Sequence, residues 1–136
     1  MAGGYNVRDA ALKKVSALPN GAVTTTTTGI DTENGTFGDC VAEVEALLSV
    51  PALTTGELPD AQTITYTIEH DTDAAFGTAV KLFDTFVQTG AGGAGAAANS
   101  FRTKLPTSVK RHIRAKAVKT GASNASTKSM TIEVLS

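Results

Sequence analysis

Residues 62–69 read Gln-Thr-Ile-Thr-Tyr-Thr-Ile-Glu, and this alternation constrains the fold more than any other stretch. Ile64, Tyr66 and Ile68 fall on one side of an extended strand, and Thr63, Thr65 and Thr67 on the other. That is the pattern of a sheet with one face in a core and one in water. The same period returns in 111–119, where Ile113, Ala115 and Ala117 alternate with His112, Arg114 and Lys116, and in 128–135, where Met130, Ile132 and Val134 share a side. Thr78 to Thr89 places Val80, Leu82 and then Phe86 among polar positions, and Val23 to Thr28 is a Thr-rich strand ended by Gly29. Asp39 to Val50 fits two periods. At helical spacing Val41, Val44, Leu47 and Leu48 form a stripe; at period two Glu43 and Glu45 oppose Cys40, Ala42, Val44 and Ala46. The strand reading is preferred, because its neighbours are strands and Pro51 closes a short unit. Six or more short strands with Gly, Pro and Asn turns and no long helix predict an all-β sandwich or barrel.

Composition agrees with that class. The 136 residues suffice for one modest core, and Thr (21), Ala (21) and Gly (13) dominate. Thr suits pleated, half-buried surfaces, whereas Ala and Gly make thin layers and turns. Charged residues are 18% of the chain, against roughly a quarter in an average soluble protein. With 5% aromatics and no Trp, a base-stacking platform is disfavoured. No run approaches the roughly 20 apolar residues of a membrane-spanning helix. The N-terminal residues lack the layout of a signal peptide, so intracellular synthesis is expected. The single cysteine, Cys40, permits neither an intrachain disulfide nor a Cys/His zinc box.

Residues 1–20 read as an N-terminal arm or short helix, and 21–136 as the sandwich. Within the arm, Ala11, Leu12, Val15 and Leu18 would share one side of a helix over Val7 to Leu18, which Pro19-Asn20-Gly21 breaks. Such a segment either packs on the domain or reaches a neighbour. Charge is divided along the chain. Residues 1–84 hold four basic and twelve acidic residues, a sum of −8; residues 85–136 hold eight basic residues and one acid, Glu133, a sum of +7. The total is −1. If the division survives folding, it favours docking on complementary copies or an oppositely charged partner.

The local motifs carry little chemistry. Gly90, Gly92 and Gly95 satisfy G-x-G-x-x-G, but Pro106 curtails any following helix and no acid lies between Asp84 and Glu133. A flexible loop, too poor in side chains to anchor itself, is the better reading. Glu69-His70-Asp71-Thr72-Asp73 reads as a solvated turn rather than a metal site. Asp31, Glu33, Asn34 and Asp39 miss the calcium-loop spacing. Cys40 sits in an apolar alternation, and His112 lies between cations without an orienting carboxylate. No catalytic, cofactor or metal residues are therefore assigned. The strongest feature is the basic run Arg102, Lys104, Lys110, Arg111, Arg114, Lys116 and Lys119, uninterrupted by an acid. Such density suits phosphate contacts, but a pI near 6.1 and the lack of aromatics in the run favour an acidic protein surface or plain solvation over nucleic acid.

Three places give the chain a family resemblance. Arg8-Asp9-Ala10 leads through Leu18-Pro19 into the Thr-rich strand and Gly29-Ile30-Asp31. Alternating strands occupy 62–69 and 78–89. Leu105-Pro106 precedes Lys110-Arg111-His112-Ile113-Arg114, a Gly/Ala/Ser/Asn turn at 121–126 and a last strand to Val134. In this pattern the chain resembles the small cement, or decoration, proteins of tailed-phage capsids, of the type known from short-tailed Bordetella phages. It departs from them in the Gly/Ala stretch at 90–98, where the family has a short turn, and in its Cys and its Thr run.

The resemblance implies a jelly-roll β-sandwich that forms a homotrimer on the capsid exterior and clamps adjacent major capsid subunits at threefold and quasi-threefold positions. It implies no cofactor and no catalysis. Arg8, Lys13, Lys14, Lys110, Arg111, Arg114 and Lys116 are the partner-binding candidates, with the arm latching a neighbouring subunit. Other readings are a head–tail or tail protein, a β-sandwich ligand module, or an OB-like nucleic-acid binder.

Overall fold

The computed structural model describes residues 12–32, 44–106 and 108–135. Arg8, Cys40 and most of the segment read as an arm lie outside the described residues, as do Glu33, Asn34 and Asp39. Nine strands are described: β1 (Lys13–Ala17), β2 (Thr24–Thr26), β3 (Ile30–Asp31), β4 (Glu45–Val50), β5 (Thr63–Asp71), β6 (Val80–Thr89), β7 (Asn99–Lys104), β8 (His112–Lys119) and β9 (Ser129–Leu135). There is no α-helix among the described residues.

The strands pair in nested fashion about the β5–β6 turn. β5 pairs with β6, β4 with β7, β2 and β3 with β8, and β1 with β9, all antiparallel. The result is two sheets, ordered β1-β9-β4-β7 and β2-β8-β5-β6, with β3 also on β8. A long hairpin rolled up so that its strands alternate between two sheets is a jelly roll. The expected all-β, jelly-roll-like sandwich is therefore the fold.

Alternation builds the core. Ile64, Tyr66 and Ile68 of β5, Ile113, Ala115 and Ala117 of β8, and Ala46, Leu48, Met130 and Ile132 of the facing sheet are fully buried. Aromatic rings fill the gap at the β6 side, with Tyr66 against Phe86 (5.1 Å between centroids) and Phe83 against Phe101 of the opposite sheet (5.8 Å). The Tyr66 hydroxyl donates to Gln88 Oε1 (2.6 Å), and Gln88 Nε2 donates to the carbonyls of Pro51 and Ala97. That buried chain is satisfied, as a low-dielectric interior requires, and burial pushes the Tyr66 hydroxyl well above its usual pKa. Ile132→Ala is expected to lower stability by about 3 kcal/mol in urea titration, since the packed core around a fully buried isoleucine closes such a cavity only in part.

Three expectations are corrected. Residues 13–17 are not the end of an arm or helix. They are edge strand β1, registered from Lys13↔Glu133 to Ala17↔Ser129. Pairing with a central strand outweighs the weak helical spacing of a five-residue segment. The Gly/Ala stretch is not an unanchored loop either. Its backbone ties it to the β4–β5 connection: Leu53 and Ala96 exchange N–H···O bonds (2.9 and 3.0 Å), Gly90 N donates to Gln62 O, and Gly93 N donates to Asp60 Oδ1. Small residues allow this close approach. Finally, residues 69–71 are no solvated turn. Glu69 and Asp71 are buried at the end of β5, and Asp71 accepts from Asp73 N, Thr78 N and Thr78 Oγ1. Burial, the largest influence, raises the Asp71 pKa, but these hydrogen bonds outweigh it and hold the carboxyl below its usual value.

Candidate functional site

The basic run lies mainly on β8, and the register decides where its side chains go. Asp31 and Asp71 stand opposite His112, Glu69 opposite Arg114, and Thr26 and Thr67 opposite Lys116. All belong to the outer face of the β2-β8-β5-β6 sheet, because their strand neighbours Ile113, Ala115 and Ala117 point inward. The basic residues are thereby set against acids from the other half of the chain.

Arg111 forms a two-pronged pair with Asp31, Nε to Oδ1 at 2.9 Å and Nη2 to Oδ2 at 2.8 Å. Arg114 Nε donates to Glu69 Oε1 at 2.9 Å, and Lys116 Nζ approaches Glu69 Oε2 at 3.5 Å. The Arg114 guanidinium also lies 4.4 Å from the centroid of the Phe76 ring. Phe76 comes from the β5–β6 connection, has a left-handed backbone (φ 55°), and covers Gly29 so closely that a Cβ there would lie 2.6 Å from its Cε2. Elsewhere Arg102 pairs with Glu45 and Lys128 with Glu57. The Glu57 carboxyl is pulled down to about 2 by the Thr54 N–H, then by Lys128 and Thr127.

Part of the division of charge along the chain is thus neutralised inside one molecule. Five of the ion pairs among the described residues join a base from the last third to an acid from the first half or the middle. Lys13, Lys14 and Lys110 make no ion pair among the described residues. Lys13 is exposed opposite Glu133, and Lys14 takes the inward side of edge strand β1 opposite Ile132. An inward charge on an edge strand discourages addition of a further strand. Lys110 N donates to His70 Nδ1 at 3.0 Å. Sequence reasoning found the cations but missed Asp31, Glu69 and Phe76 as their partners.

Beside these charges the same face carries an uncharged row. Thr24, Val118, Thr65 and Val87 form one cross-strand row, in which Val87 is 50% and Val118 38% exposed. Among the described residues no group of three or more His, Cys, Asp or Glu could hold a metal ion. The glycine-rich stretch leads into antiparallel β7 rather than into a helix and a parallel strand, so it lacks the setting of a dinucleotide fingerprint.

No family model matches the chain, and no curated protein does. Among solved structures it is similar to a chain of the cowpea mosaic virus top component, the naturally occurring empty particles. That likeness has 12% identity and a TM-score of 0.47, and covers 91% of this chain and 80% of the other.

Proposed function

We propose that this chain is a structural virion protein that decorates a phage capsid and stabilises it by clamping adjacent major capsid subunits at threefold and quasi-threefold positions. The observation that carries the reading is the outer face of the β2-β8-β5-β6 sheet. Its charges are matched within the chain, and next to them lies a row of Thr and Val with two exposed valines. A face of that kind suits packing against protein better than binding a polyanion or a small charged substrate. The sequence resemblance to phage cement proteins supports the same conclusion.

The mechanism is thermodynamic. A protein that binds the assembled shell but not its separate subunits stabilises the shell by mass action, and many weak contacts on a lattice act together. The partner contacts fall to the candidates Arg8, Lys13, Lys14, Lys110, Arg111, Arg114 and Lys116. Exposed Lys13 meets a shell carboxylate without giving up an internal partner. Arg111, Arg114 and Lys116 have to exchange Asp31 or Glu69 for one. Threefold contacts between copies are heterologous and close into a ring.

Light scattering tests the assembly. Three chains of 13.9 kDa give a particle of about 42 kDa, which is the expected result. A hexameric or dodecameric ring would overturn the clamp and favour a neck or tail component. A monomer at all concentrations would overturn the homotrimer.

A further inference from the structure

His70 lies on β5, paired with Val80 of β6 on one side and Ile113 of β8 on the other. Its Nδ1 accepts the backbone N–H of Lys110, forty residues away in the β7–β8 connection. That connection is also held by two buried apolar anchors, Leu105 and Val109, by Leu105 N donating to Val44 O, and by Thr32, whose N–H and hydroxyl both donate to Arg111 O at 2.7 Å. A ring nitrogen can accept only while it carries no proton. The bond therefore requires neutral imidazole with its hydrogen on Nε2.

The surroundings resist protonation. Burial lowers the His70 pKa most, the Lys110 ammonium lowers it further, and Asp71 opposes them more weakly. The remaining charged groups on the packed elements are already engaged or turned to the other face. On β8, Arg114 faces outward onto Glu69, with His112 opposite Asp71; on β6, Lys81 pairs with Asp84; and at the end of the connection, Arg111 pairs with Asp31. Among the described residues, no carboxylate on β6, β8 or the β7–β8 connection pairs with His70 to stabilise an imidazolium.

We propose that His70 is an acid-sensitive latch on the β7–β8 connection. At neutral pH it holds the Lys110 amide. On protonation Nδ1 becomes a donor facing a donor, and a positive charge appears beside the Lys110 side chain, so the connection opens locally while the sheets stay intact. The sign is fixed by the direction of the shift. With the folded pKa below the unfolded value, the contribution of the latch is complete above the ordinary histidine range. It is lost as pH falls through that range toward the lower folded value. The proposal is independent of the capsid reading and holds for the isolated chain.

The test is amide hydrogen exchange by NMR, corrected for the intrinsic pH dependence of exchange, between about pH 7.5 and about pH 5, a window that spans histidine titration. The Lys110 amide is expected to lose protection by about five- to thirty-fold across that range, the factor corresponding to one lost hydrogen bond. The amides of Tyr66 and Ala115 are expected to keep theirs. His70→Gln, whose carboxamide oxygen can accept without titrating, is expected to flatten the Lys110 profile. Lys110 protection that stays constant while the His70 ring is seen to titrate would overturn the proposal in the wild-type protein alone. An equal acid loss in His70→Gln would overturn it as well.

Discussion

Gly95→Ala is expected to destabilise the fold by about 2–4 kcal/mol, read as a lowered urea midpoint at unchanged slope. Two causes add. Gly95 has a left-handed backbone at φ 70°, which costs an alanine about 1 kcal/mol. A Cβ there would also collide with the carbonyl oxygen of Leu53 and come within 2.6 Å of Thr54 C. Neither is the movable end of a side chain, so the β6–β7 connection has to pull away and strain the paired bonds between Leu53 and Ala96. Gly92 is the built-in control. It has a similar φ of 63°, but a Cβ there would find no atom within 4 Å. Gly92→Ala is expected to show only the backbone part, about 1 kcal/mol.

The second large effect is at Arg114. Its guanidinium, mostly buried, bridges Glu69 and the Phe76 ring. Arg114→Ala leaves the Glu69 carboxylate, whose side chain is 10% exposed, with only Lys116 at 3.5 Å. It also removes the cation from above a ring already held in an unfavourable backbone conformation. A loss of about 2–4 kcal/mol is expected, because breaking a buried pair strands the remaining charge. Arg114→Glu should be worse, setting two carboxylates side by side. Lys13→Glu, by contrast, faces Glu133 across an exposed edge pair and is expected to cost no more than about 1 kcal/mol. Thermal melts of the three variants check the ordering. A charge-reversal experiment on capsid docking therefore belongs at Lys13, since reversal at Arg114 first disturbs the protein that carries it.

The sequence displays some elements plainly and hides others, for physical reasons. β5, β8 and β9 lie inside their sheets with one face buried, so Ile64, Tyr66, Ile68 and their counterparts alternate cleanly and their inward sides were legible. Edge strands bury less. β1 reads Lys-Lys-Val-Ser-Ala, with Lys14 and Ser16 on the inward side and Val15 57% exposed, which inverts the usual pattern. β7, Asn-Ser-Phe-Arg-Thr-Lys, offers little more than Phe101 to the interior. β6 loses its period because its pairing with β5 shifts register between Tyr66 and Thr67 and again between Ile68 and Glu69. At the candidate surface the cations were visible as a run. Their partners were not, because Asp31 and Arg111 are eighty residues apart and only the fold aligns them.

Nested pairing also sets a timetable for a chain made from one end. The outermost pair, Lys13↔Glu133, joins residues 120 positions apart. At about 5–20 residues per second, roughly 6–24 s separates the synthesis of the two partners. Through that interval β1 and the first part of the sandwich exist without the strands that complete them. The hairpin of β5 and β6 can close as soon as it emerges, whereas each outer pair must wait longer than the one inside it. Pairings this distant in sequence fold in milliseconds to seconds rather than microseconds, so the chain must remain soluble while half assembled. A lysine on the side of β1 that will face the core, and a β2 of three residues followed by a β3 of two, suit that wait: an unfinished edge of this kind is a poor template for another unfinished chain.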